Sequence, residues 1–266
     1  MELRSLSVAT TAAVALVLAR PAQAQRFEYA PGTSQYRLTA VNKMTQEAQG
    51  QKMEQEVTSE QKLTITLNRR GPDTLVFAMT LDSVQVSSPG GPLPDVSSIV
   101  GLKVTGALSP SGALYASNPL DGPAAGMAGA LADEMARFLP RLRSTLSVGT
   151  MWADTLSGRV NQGGVTLDRT VVAISRVVGD TTYLGERAVR IDRSTKVTFS
   201  GSGTTQGQAI TVEGTAGGTD NLFVTRAGIY LGGVMNNAAA IRFTLVANGM
   251  EIGRTQNQTT TVARVK

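Results

Sequence analysis

Apolar and polar side chains alternate with a period of two over most of this chain. Only extended strands with one buried face sustain that pattern, so it commits the protein to a sheet. Leu63, Ile65 and Leu67 are separated by Thr64 and Thr66, and Leu75, Phe77, Met79 and Leu81 keep to odd positions. Val84 and Val86 then fall on even positions, a change of phase around Asp82-Ser83 that one inserted bulge residue would produce. Arg69-Arg70-Gly71-Pro72-Asp73 is a turn cluster of hairpin size. Residues 33–46, 51–69 and 74–88 are therefore predicted to be three long antiparallel strands.

Shorter strands are predicted at Leu102–Ser109 and Ala113–Ser117, followed by longer ones at Val165–Val178 and Thr181–Phe199. After a loop at Gly201–Gly207 come Ile210-Val212, Leu222–Thr225, Ile229–Met235 and Ile241–Leu245, the last running into an Asn248-Gly249 turn. Ile252–Val265 is rich in Thr and Gln on both faces and reads as an exposed edge strand. One helix interrupts the strands. Asp121-Gly122-Pro123 opens it, Met127, Leu131, Met135 and Phe138 recur at helical spacing, and Pro140 ends it, giving a helix over 123–139. Such a stripe either packs as core or lines a cavity, with Met adapting to varied apolar shapes.

Residues 1–24 have the form of a secretory leader: one basic residue at Arg4, an apolar stretch from Val8 to Ala19, and Ala22-x-Ala24 for cleavage. The apolar stretch falls short of the ~20 residues that span a bilayer. The expected mature chain thus starts after Ala24, has no transmembrane segment, and is periplasmic or secreted. Residues 25–266 are expected to be a single domain. The whole chain carries a net charge of +5, with Lys and Arg dispersed rather than clustered, which argues against nucleic acid as a partner.

The chain contains no cysteine and no histidine. Ser-His-Asp and Cys-His mechanisms are therefore unavailable, as are the usual zinc, copper and haem sites, and no cofactor is expected. Ser59-Glu-Gln-Lys62 has an S-x-x-K spacing, but on a strand those two side chains point to opposite faces. Asp133, Glu134 and Arg137 read as a solvated helix face, and Arg137, Arg141 and Arg143 as cations favoured at a helix end. A non-enzymatic protein is expected.

Leu139-Pro140 closing a helix, Gly149-Thr150-Met151-Trp152 opening a second set of strands, and Gly218-Thr219-Asp220 leading to Ala227-Gly228 together form a recognisable layout. It resembles the periplasmic lipoprotein-localisation factors, the mycobacterial lipoprotein lipid carriers, and related secreted bacterial proteins. The chain departs from them in lacking a lipobox cysteine and in having only one Trp, five Tyr and six Phe. The resemblance implies a mainly β protein: a strongly curved antiparallel sheet, a half-barrel of about ten to twelve strands, packed around the central α-helix. It also implies that a lipid or other apolar guest sits on the concave face, against Met127, Leu131, Met135, Phe138, Trp152 and Phe77. The alternative is a structural or partner-binding envelope protein with a filled core, whose last strand accepts another chain at the sheet edge. An outer-membrane barrel stands behind both, because its aromatic girdles are missing.

Overall fold

A computed structural model describes residues 27–89, 96–117, 138–162, 164–205 and 207–265. The leader, Met127, Leu131, Met135 and most of the expected helix lie outside the described residues. The strands are β1 (Gly32–Ala48), β2 (Gln51–Gly71), β3 (Thr74–Ser87), β4 (Lys103–Leu108), β5 (Leu114–Ser117), β6 (Met151–Gln162), β7 (Val165–Tyr183), β8 (Glu186–Thr205), β9 (Gln208–Val224), β10 (Tyr230–Leu245) and β11 (Glu251–Val265). They form one antiparallel sheet in the order β5-β4-β3-β2-β1-β11-β10-β9-β8-β7-β6.

Two meanders, β1–β5 and β6–β11, are thus fused where the first and last strands pair, in register from Gln35↔Val265 to Ala48↔Ile252. The last strand is not an edge, which corrects the expectation drawn from its polar composition. Its backbone is paired on both sides, while its Thr and Gln side chains sit where the sheet is only partly covered. The edges are β5 and β6. The phase change in β3 is a bulge: Lys62 faces Ser83 and Leu63 faces Leu81, so Asp82 is the extra residue.

One face carries the core. Side chains from ten strands belong to it, among them Tyr36, Leu63, Phe77, Val104, Trp152, Val177, Ile191, Leu222, Tyr230 and Val262. The connection from β5 to β6 must travel from one edge of the sheet to the other, and its described part lies on this face. Phe138, Leu139, Leu142 and Leu146 are buried there. Its backbone is held by neighbouring loops: the Leu142 amide donates to Ser111 O at 2.8 Å, and the Phe27 amide donates to Ser144 O at 3.1 Å. Tyr29 adds a hydrogen bond from its hydroxyl to Pro140 O at 2.5 Å.

The half-barrel packed around a central helix is therefore corrected. The described protein is an all-β, eleven-stranded sheet with no α-helix among its described elements. Its core face is closed by the described part of the β5–β6 connection, irregular from Leu139 onward, and by the N-terminal lead. Past Phe138 the apolar residues keep roughly helical spacing, yet Pro140 and the bonds to separate loops hold the backbone out of a helix.

The lead is fixed to the sheet at a tight turn. The Ala30 amide donates to Gly228 O at 3.0 Å, and Gly228 has φ +82°. A Cβ on Gly228 would run into the carbonyl of Glu28. Gly228→Ala is therefore expected to cost at least about 1–3 kcal/mol, measured as a lower urea midpoint with an unchanged slope.

Candidate functional site

A concavity of about 1270 Å³ lies on the distal half of the sheet. Strand parity decides which face lines it. Residues paired across an antiparallel ladder share a face, and Leu63, Tyr36, Arg264 and Val262 mark the core side through the pairs Tyr36↔Leu63, Tyr36↔Arg264 and Leu38↔Val262. Counting along each strand, most of the lining side chains fall on the opposite, polar face. Strands β1 and β6 both reach this trough, although five strands separate them in the sheet.

Two cross-strand rows line it. The first runs Ser157, Thr170, Thr198, Thr215, Ala240, Thr255, Thr45, each paired with the next. Every member but Ala240 carries a hydroxyl, and neighbours stand about 4.8 Å apart, the strand spacing. Ser157 and Thr170 bond to each other at 3.1 Å. The second row runs Arg159, Asp168, Ser200, Glu213, Arg242, Gly253, Glu47. Its charges are largely neutralised within the row. Arg159 donates to both carboxylate oxygens of Asp168, at 2.9 and 3.3 Å, and Arg242 lies 3.6 Å from Glu213. The hydrogen bond from Arg159 lowers the Asp168 carboxyl below its ordinary value, and the same bond raises Arg159. Asp168 therefore stays ionised at neutral pH, unable to serve as a proton donor. Among the described residues no group of three His, Cys, Asp or Glu comes together to hold a metal ion.

The three described residues of the expected ligand site lie elsewhere. Phe77 (3% exposed), Phe138 (2%) and Trp152 (6%) are side chains of the core cluster. Phe138 meets Tyr36 and Tyr230 edge-on at 5.0 and 5.5 Å between ring centroids. From Trp152 a cross-strand row on the core face runs through Ser175, Arg193, Asp220, Met235 and Thr260, with Ser175, Asp220 and Thr260 buried. Arg193 Nε donates to Asp220 Oδ2 at 2.6 Å.

The sequence reading missed the trough. The Thr and Ser residues of β7 to β9 were visible as the polar half of each alternating strand. Nothing local indicates which of them stand side by side, because that depends on the register between strands.

No family model matches this chain, and no curated relative does. Solved structures do align with it. Pseudomonas aeruginosa OccK2 (OpdF) has a TM-score of 0.28 and 8% identity, covering 88% of this chain and 98% of the other. The Pseudomonas aeruginosa outer membrane protein OpdK has a TM-score of 0.25 and 8% identity over 88% and 99%. A mutant porin of Rh. blastica has a TM-score of 0.26 and 9% identity over 88% and 100%. The last two are named as an outer membrane protein and a porin, and none of the three as a lipid carrier. The expectations of a soluble carrier of a lipid or acyl chain, of a filled-core envelope protein beside it, of a mature chain without a transmembrane segment, and of a periplasmic or secreted location are not upheld by these comparisons and are not taken further. No described helix is long and apolar enough to cross a membrane, which leaves strands unaddressed. At these TM-scores the alignments follow a succession of long antiparallel strands and carry no argument for a pore.

Proposed function

We propose that this protein is a non-enzymatic binding protein whose trough holds an extended, neutral, hydroxyl-rich ligand such as a glycan chain. The single observation that carries this reading is the hydroxyl row crossing seven strands. Each hydroxyl both donates and accepts, as a sugar hydroxyl does, so two such rows can bond in either sense. The adjoining Arg159–Asp168 and Arg242–Glu213 pairs take up their own charges, which leaves little net field to attract an ion. With Asp168 held ionised and no histidine or cysteine in the chain, the trough supports recognition rather than proton transfer.

Isothermal titration against a panel of neutral and charged oligosaccharides tests this reading. A neutral glycan is expected to bind with an affinity that changes little between low and high salt. The triple variant Thr170→Val, Thr198→Val, Thr215→Val keeps shape and strand propensity but removes three hydroxyls. At about 0.5–1.5 kcal/mol per hydrogen bond, it is expected to weaken binding at least tenfold with little change in melting temperature. Equal affinity in the triple variant, or no binding across the panel, defeats the proposal.

A further inference from the structure

We propose that a second, separate pocket of about 180 Å³, at the end of the core face where the N-terminal lead meets β11, binds a compact monocarboxylate anchored by Arg264. Arg264 pairs with Tyr36 in the β1–β11 ladder, so the two side chains share the core side. The rest of the wall is mostly apolar or aromatic, with Ile65, Leu67, Leu139, Tyr36 and Tyr230, and includes Thr33 and Ser34. Two polar atoms of this lining are buried with no hydrogen-bond partner, Arg264 Nε and the Tyr230 hydroxyl. Both are donors, and buried donors left without acceptors are costly.

The rest of the guanidinium is loosely engaged. Its Nη1 lies 3.7 Å from Glu186 Oε1, well beyond the ~2.7–2.9 Å of a charge-assisted bond. Glu186 is brought there by the β7–β8 turn, which folds across the ends of β9 and β10 so that the Tyr183 hydroxyl donates to Val262 O at 3.1 Å. Burial keeps the Tyr230 phenol protonated far into the alkaline range, so it remains a donor. A cation and a phenol in a small, largely apolar enclosure suit one negative charge with two acceptor oxygens and a short apolar stem. The volume is below the ~300–1,000 Å³ of ordinary ligand pockets, which limits the guest to a few carbon atoms. This site lies on the face opposite the trough and does not depend on it.

The test is titration calorimetry of the full chain with acetate, propionate and butyrate in a constant chloride background. Saturable binding is expected, weakened roughly tenfold or more in Arg264→Gln and several-fold in Tyr230→Phe, and unchanged in Arg70→Gln, an exposed cation near the β2–β3 turn. Ile65→Phe, which fills the pocket while keeping Arg264, is expected to abolish it. If Arg264→Gln does not fold, Ile65→Phe and Arg264→Lys decide the matter. The proposal falls if the wild type shows no saturable binding, if Ile65→Phe binds as well as wild type, or if sulfate and chloride compete as effectively as carboxylates do.

Discussion

Asp220→Ala is expected to cost about 3–5 kcal/mol of folding stability, the largest loss of any single substitution considered. Asp220 is on β9 and Arg193 on β8, directly paired, and their side chains are only 4% and 13% exposed. The 2.6 Å contact places the charges in a region where water cannot screen them. Removing the carboxylate leaves the guanidinium buried without it, so the loss is a desolvation penalty more than the worth of the pair. The double variant Arg193→Met, Asp220→Leu replaces both charges with apolar groups of similar size and is expected to regain most of the stability. Urea denaturation of the three proteins measures this. A single variant within about 1 kcal/mol of wild type, or a double variant no better than the single, would overturn it.

Alkali is expected to unfold the protein through its buried tyrosines. Burial is the main cause raising all three: Tyr29 moves well above the ordinary 10.0, Tyr36 is pushed up to about 12, and Tyr230 is raised further still. Each is held by packing, and the Tyr29 and Tyr36 hydroxyls donate to the carbonyls of Pro140 and Tyr230. A folded pKa above the unfolded one means this stability is fully present below pH 10. Above pH 10 the unfolded chain sheds protons that the folded one keeps. Stability is then lost up to the folded values, which is about pH 12 for Tyr36. The slope is about 1.4 kcal/mol per pH unit for each such tyrosine, so Tyr36 alone accounts for roughly 2–3 kcal/mol. Tyrosinate absorbance should rise together with loss of sheet structure, and Tyr36→Phe should flatten the dependence. Buried tyrosines that ionise near pH 10 in a still-folded protein would contradict this.

Much of the strand content could be read locally. The boundaries of β1 to β5 follow from alternation and turn residues, and even the Asp82 bulge showed as a slipped phase. Alternation failed where small residues replaced apolar ones. The Gly201–Gly207 stretch was read as a loop, yet β8 runs through to Thr205 and β9 starts at Gln208. Likewise the alternation lapses over Asn236–Ala240, yet β10 is continuous there. At some of these crossings the backbones crowd: a Cβ on Gly201 would strike Thr166 O, and one on Gly218, across from β10, would strike Asn236 O.

What the chain determines by itself is its strands and the two sides of each, since period-two alternation is a property of neighbouring residues. Which strands neighbour one another is decided only in three dimensions. The pairing of β1 with β11 joins residues more than two hundred positions apart and turns a polar segment, expected at an edge, into the middle of the sheet. The same long-range registers align Ser157, Thr170, Thr198, Thr215 and Thr255 into one row and put Arg193 opposite Asp220. They also leave the open concavity on the polar face while the apolar face closes over its own side chains. No local pattern encodes that choice, because it depends on how the whole sheet twists and on what the strap from β5 to β6 covers.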